Sequence, residues 1–96
     1  MGNDTHDRKV QQMARELTKQ GFDVQADLKN YDTPDGIGKG GFIPDIVASK
    51  GGKTKIIEVD TPGTENSEQL KAFRRSAAQR SNAEFEHVIT KPRKKG

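Results

Sequence analysis

The feature that most limits what this chain can fold into is the dipeptide Gly51-Gly52, set between two runs of strand-forming residues, 43–49 (IPDIVAS) and 53–60 (KTKIIEVD). Two such runs joined by two glycines make a tight β-hairpin, because glycine accepts the positive φ angles that the turn demands. With Gly51 and Gly52 as the turn, Lys50 faces Lys53, Val47 faces Ile56, and Asp45 faces Glu58. Side chains in facing positions lie about 5 Å apart at Cβ on one face of the sheet. Asp60, two residues beyond Glu58, points to that same face. A three-residue turn would instead move one strand by a face and separate the carboxylates.

Like charges in facing positions destabilise a sheet, and a carboxylate buried without a partner is costly. The Asp45–Glu58 pair therefore calls for a cation, a shared proton or full exposure to solvent. A hard divalent ion, Mg2+ or Mn2+, matches oxygen donors of this kind. The plain structural alternative is an exposed pair at a sheet edge, or one neutralised by lysine or arginine.

Around the hairpin the spacing predicts an α/β chain. Residues 5–20 read as an amphipathic helix with Val10, Met13, Ala14 and Leu17 inward, capped by Asp4 or Thr5 and stopped by Gly21. His6 falls on the apolar side and reads as a core-edge histidine. Residues 22–28 alternate as a half-buried strand. Residues 29–42 form a polar loop with four glycines, expected to be a flexible flap beside a site. Gly38-Lys39-Gly40 lacks the Ser or Thr and the spacing of a phosphate-binding P-loop. Residues 65–80 return to helical spacing with Leu70, Phe73 and Ala77 inward, capped by Thr64, Asn66 or Ser67. A last strand falls near 85–90. The predicted order is α-β-β-β-α-β.

Hydrophobic residues are 29% of the 96 and charged residues 32%, enough for one domain, 1–90, with a small core that invites an oligomeric partner such as a second copy. Residues 91–96 read as a flexible basic tail. No run approaches a membrane span and the N-terminus has no apolar leader, which points to the cytoplasm. Without cysteine there are no disulfides or thiolate sites, and His6 and His87 carry no zinc signature. Charge is uneven: residues 1–69 hold nine Lys/Arg against twelve Asp/Glu, while residues 70–96 hold eight against two. Lys71, Arg74, Arg75 and Arg80 on the second helix, with Lys91, Arg93, Lys94 and Lys95 in the tail, are candidate contacts to DNA phosphates. Such contacts favour recognition of DNA structure over base sequence.

Pro44-Asp45, a hairpin, then Glu58-Val59-Asp60, in this element order, resembles the PD-(D/E)xK nuclease superfamily, which includes many restriction enzymes and archaeal Holliday-junction resolvases. The resemblance implies a minimal restriction-endonuclease-like core, a mixed sheet flanked by two helices. It implies that Asp45 and Glu58 hold Mg2+ or Mn2+, that a Glu on the first helix (here Glu16) completes the metal site, and that the protein is a metal-dependent DNA nuclease. One departure stands out: Asp60 occupies the position of the family's catalytic lysine, and as a third site carboxylate it is expected to act as an additional metal ligand or charge partner. Gln69 and Lys71 on the following helix are candidates to supply the missing group, whereas Lys55 is on the wrong face by parity. The alternative is a degenerate site on the same fold, serving as a non-catalytic nucleic-acid-binding or protein-interaction module.

Overall fold

The computed structural model describes residues 4–63 and 66–90. In chain order these form helix α1 (Asp4–Lys19), strands β1 (Asp23–Ala26), β2 (Ile46–Lys50) and β3 (Lys53–Asp60), helix α2 (Ser67–Ala78) and strand β4 (Ala83–Ile89). The strands make one sheet in the order β1-β2-β3-β4. The first two pairings are antiparallel and the β3–β4 pairing is parallel. A parallel neighbour requires a crossover, and α2 supplies it. The expected mixed sheet between two helices is therefore present.

The hairpin forms as its glycines require. Gly51 and Gly52 have φ of 57° and 85°, both positive, as in the type I′ turn that matches strand twist. The ladder runs from Lys50↔Lys53 to Ile46↔Ile57. Strand alternation then sorts the core into two layers. Ile46, Ala48, Ile57 and Val59 meet Val10, Ala14 and Leu17 of α1 on one face. Ile56 meets Phe73 and Ala77 of α2 on the other. β3 is central and covered on both faces, so residues 56–60 are all buried.

Of the three candidate caps for α2, Asn66 acts: its side chain accepts a hydrogen bond from the Gln69 backbone amide at 3.1 Å. Thr64 and the tail cations Lys91, Arg93, Lys94 and Lys95 lie outside the described residues. The caps expected from the side chains of Asp4 and Thr5 do as well. Replacing Asn66 with alanine is expected to cost about 1 kcal/mol, read as a lower urea midpoint with an unchanged slope.

The structure differs from the sequence expectation at three places. β1 ends at Ala26 rather than at Leu28: the Asp27 amide makes a last bond to the Asp45 carbonyl at 2.9 Å, and the chain then turns back so that the Asp32 carbonyl meets the outward Ala26 amide at 2.9 Å. β2 begins at Ile46 rather than at Ile43: Pro44 has no amide proton, and the Asp45 amide is taken by a side chain. The 29–42 loop is not simply a free flap. Ile37 and Phe42 form an isolated antiparallel bridge, and both pack against the Ile56–Phe73–Ala77 cluster. Among the described residues no helix is long and apolar enough to cross a membrane.

Candidate active site

Four elements and the segment before β2 converge at one end of the sheet. Asp45 stands one residue before β2, while Glu58 and Asp60 project from β3 toward the α2 side. His87 of β4 is the parallel neighbour of Glu58, so it shares that face. The first turn of α1 brings His6, and the first turn of α2 brings Gln69.

Where the β2–β3 ladder ends, carboxylates take over from carbonyls. The Asp45 amide donates to Glu58 Oε1 at 3.3 Å, and the Val59 amide donates to Asp45 Oδ2 at 2.8 Å. Each acidic side chain is thus held by a peptide group of the opposite strand. Asp45 Oδ2 also lies 3.1 Å from His6 Nε2, whose other nitrogen is 3.2 Å from Asp7 Oδ1. Gln69 Nε2 donates to Glu58 Oε2 at 2.7 Å. Asp60 Oδ2 and His87 Nε2 are 2.8 Å apart.

Asp45, Glu58 and Asp60 are 9%, 7% and 8% exposed, which removes full solvation as the way the pair avoids repulsion. Neither Asp45 nor Glu58 meets a lysine or arginine among the described residues. Burial pushes the Glu58 carboxyl up to about 8, helped by the charges of Asp45 and Asp60 and opposed by the Asp45 amide. Burial also raises Asp45, against the pull of the Val59 amide and His6. For His6, burial acts downward, and the Asp7 hydrogen bond with the Asp45 charge outweighs it to give a net rise. At neutral pH without a cation, Glu58 is therefore largely protonated.

Among the described residues no three His, Asp or Glu side chains surround a common point. The donor chemistry nevertheless fits a hard divalent ion. Mg2+ commonly binds through one or two carboxylates and keeps several waters, and positive charge would relieve the repulsion that raises Glu58.

The other sequence candidates are spread more widely. Glu16 is on the exposed flank of α1 with Lys9 and Gln12, ten residues or about 15 Å along the axis from His6. The α1 side chain that reaches Asp45 is His6. Of the two α2 candidates, Gln69 touches Glu58, whereas Lys71 lines a separate groove together with Lys39 and Arg75. Lys55 is on the α1 side, 3.8 Å from Glu84 and 5.6 Å from the Phe22 ring centroid. Arg74 lies over the Phe85 ring at 5.9 Å, and Arg80 is exposed just past α2.

Two site residues escaped the sequence reading, His6 and His87. The signals were present. His6 is one helical turn before buried Val10, and Phe85, His87 and Ile89 alternate on one face of β4. Neither becomes visible as a site residue until the helix docking and the parallel register are known.

A family model described as restriction-endonuclease-like of the AHJR-like type matches residues 3–96. A search of curated proteins finds no match. Among solved structures the chain is similar to Hjc, a Holliday junction resolvase from the archaeal hyperthermophile Archaeoglobus fulgidus. The TM-score is 0.55 at 25% identity, over 88% of this chain and 69% of the other. The order of elements, the mixed sheet and the acidic hairpin agree with that assignment. The chain belongs to the AHJR-like family of the restriction-endonuclease-like, PD-(D/E)xK superfamily.

Proposed function

We propose that the protein is a divalent-metal-dependent nuclease that hydrolyses DNA phosphodiesters, with Asp45 and Glu58 at its centre. The observation that carries this reading is a buried acidic pair, each member pinned by a backbone amide and, among the described residues, neither neutralised by lysine or arginine. As a purely structural device such a pair works against folding. As a binding site for Mg2+ or Mn2+ the same pair has a use, and Asp45 and Glu58 are the residues that would hold the ion. When bound, the ion would supply Lewis-acid polarisation of the phosphate and a water of lowered pKa.

The remaining side chains orient and hold protons. Gln69 fixes one Glu58 oxygen, and His6 braces Asp45, as outer partners of carboxylate ligands do. Asp60, at the lysine position, takes a different part from the one its sequence place implies. In this reading His87 Nε2 donates to Asp60 Oδ2, 2.8 Å away, which leaves Nδ1 as the acceptor of the ring. His87 is then the nitrogen base that orients the attacking water, and Asp60 positions it. The similarity to a Holliday junction resolvase supports DNA, branched DNA included, as substrate.

A second reading draws on the same Asp60: a site with aspartate at the lysine position binds DNA without cutting it. Plasmid and four-way-junction DNA incubated with Mg2+ or Mn2+ separate the two. The wild type is expected to cut, Asp45→Ala to lose cutting, and His87→Ala to fall by about 10²-fold or more. Cleavage no greater than that of Asp45→Ala rules out the enzyme and leaves the binding module.

A further inference from the structure

The 37–42 hairpin and α2 enclose a groove of about 400 Å³. Its loop wall carries Lys39 at the hairpin tip, and its helix wall carries Lys71 and Arg75. The two walls come together because residue 38 is glycine. Its φ is 77°, and a Cβ there would sit 3.1 Å from the Ala72 Cβ. A side chain at this position would be strained and would push Lys39 away from the helix.

The charge of the groove is one-sided. Among the described residues Glu68 is the only acidic one lining it, and none of the three cations is ion-paired to a carboxylate. Three cations against one carboxylate leave a net positive charge that attracts a polyanion. The other cations in the neighbourhood are differently placed: Arg74 lies over Phe85, and Arg80 does not line the groove.

Both walls lead to the acidic site. The loop wall ends at Phe42, three residues before Asp45, and the helix wall starts at Glu68, beside the Gln69 that binds Glu58. Helix α2 spans 12 residues, about 18 Å, which corresponds to about five nucleotides at 3.4 Å per step.

We infer that this groove is the track for a DNA strand, with Lys39, Lys71 and Arg75 on successive phosphates leading the strand to Asp45 and Glu58. The inference rests on the reading of the protein as one that acts on DNA, and it divides the cations of the second helix into those that hold DNA and those that do not.

Binding of a labelled duplex and a four-way junction, measured by anisotropy in EDTA across a salt series, tests it. The variant Lys39→Ala/Lys71→Ala/Arg75→Ala removes three exposed side chains and leaves the core intact. Its control, Lys53→Ala/Arg74→Ala/Arg80→Ala, removes the same charge elsewhere. With each phosphate contact worth about 0.9 in the slope of log K against log salt, the groove variant is expected to lose about 2–3 in slope and about 10²-fold in affinity near 0.1 M salt. The control is expected to lose less than tenfold. Equal losses in both variants, or wild-type binding by the groove variant, overturn the track while DNA action stands. A wild type with no salt-dependent DNA binding overturns both.

Discussion

Replacing Glu58 with glutamine is expected to make the metal-free protein more stable at pH 8 while sharply reducing DNA cleavage. In the folded protein Glu58 titrates near 8 instead of 4.5, because it is buried beside Asp45 and Asp60. At pH 8 the wild type carries the cost of ionising there or of keeping a proton that the unfolded chain has released. Glutamine keeps the shape and removes that cost. Its carbonyl can accept from the Asp45 amide, and Gln69 can turn its own amide oxygen toward the new NH2. With solvent at the open side of the site screening part of the interaction, the gain is expected to be about 2 kcal/mol. That is roughly 10 °C in Tm for a domain of this size. Near pH 4.5 the two proteins should melt alike. An amide is a poor ligand for a hard cation, so cleavage is expected to drop by on the order of 10²–10³-fold. A variant that melts below wild type at pH 8, or that cuts as well as wild type, contradicts this account.

Without divalent metal, the wild type is expected to lose stability steadily as pH rises from about 4.5 to 8 and to regain it on addition of Mg2+ at the upper end. Glu58, Asp45 and His6 all have raised folded-state values, and all three therefore act in one direction. Over that interval the native state binds more protons than the unfolded chain, so stability falls as pH rises. The Glu58 part is fully present below 4.5 and gone above about 8. The His6 part is present below 6.5 and goes as pH passes its raised value. Mg2+ competes with the protons. At a hundredfold excess over its Kd it should add about 2.7 kcal/mol, with little effect at pH 5, where Glu58 is protonated. Thermal melts over a pH series with EDTA or Mg2+ check this directly, and a metal response that is the same at pH 5 and pH 8 contradicts it.

What the sequence disclosed about this site followed from local geometry. Two glycines set the hairpin register, and the register carried the facing of Asp45 and Glu58 and the exclusion of Lys55. Periodicity also placed Val10, Ala14 and Leu17 on one buried stripe and Phe73 and Ala77 on another. What stayed hidden depended on contacts between distant segments. His87 becomes the neighbour of Glu58 only through the parallel β3–β4 register, which no turn specifies. His6, rather than Glu16, reaches Asp45 because the docking of α1 on the sheet decides which turn of the helix meets the hairpin. The early start drawn for β2 failed for a related reason: β-propensity cannot show that a carboxylate will replace a ladder carbonyl. The 37–42 hairpin was masked by its polar composition, since only Ile37 and Phe42 anchor it.

The reciprocal pinning of Asp45 and Glu58 has a consequence for how such a protein can change over generations. Peptide groups hold both acids, so the spacing between them is indifferent to the identity of residue 46, 57 or 59, provided each suits a covered strand. Neighbouring side chains are free to drift while the acidic pair keeps its geometry. A single inserted residue in the turn, by contrast, would misalign both acids in one step. The site tolerates substitution and is intolerant of insertion or deletion, and its heritable core is the count of residues between Asp45 and Glu58.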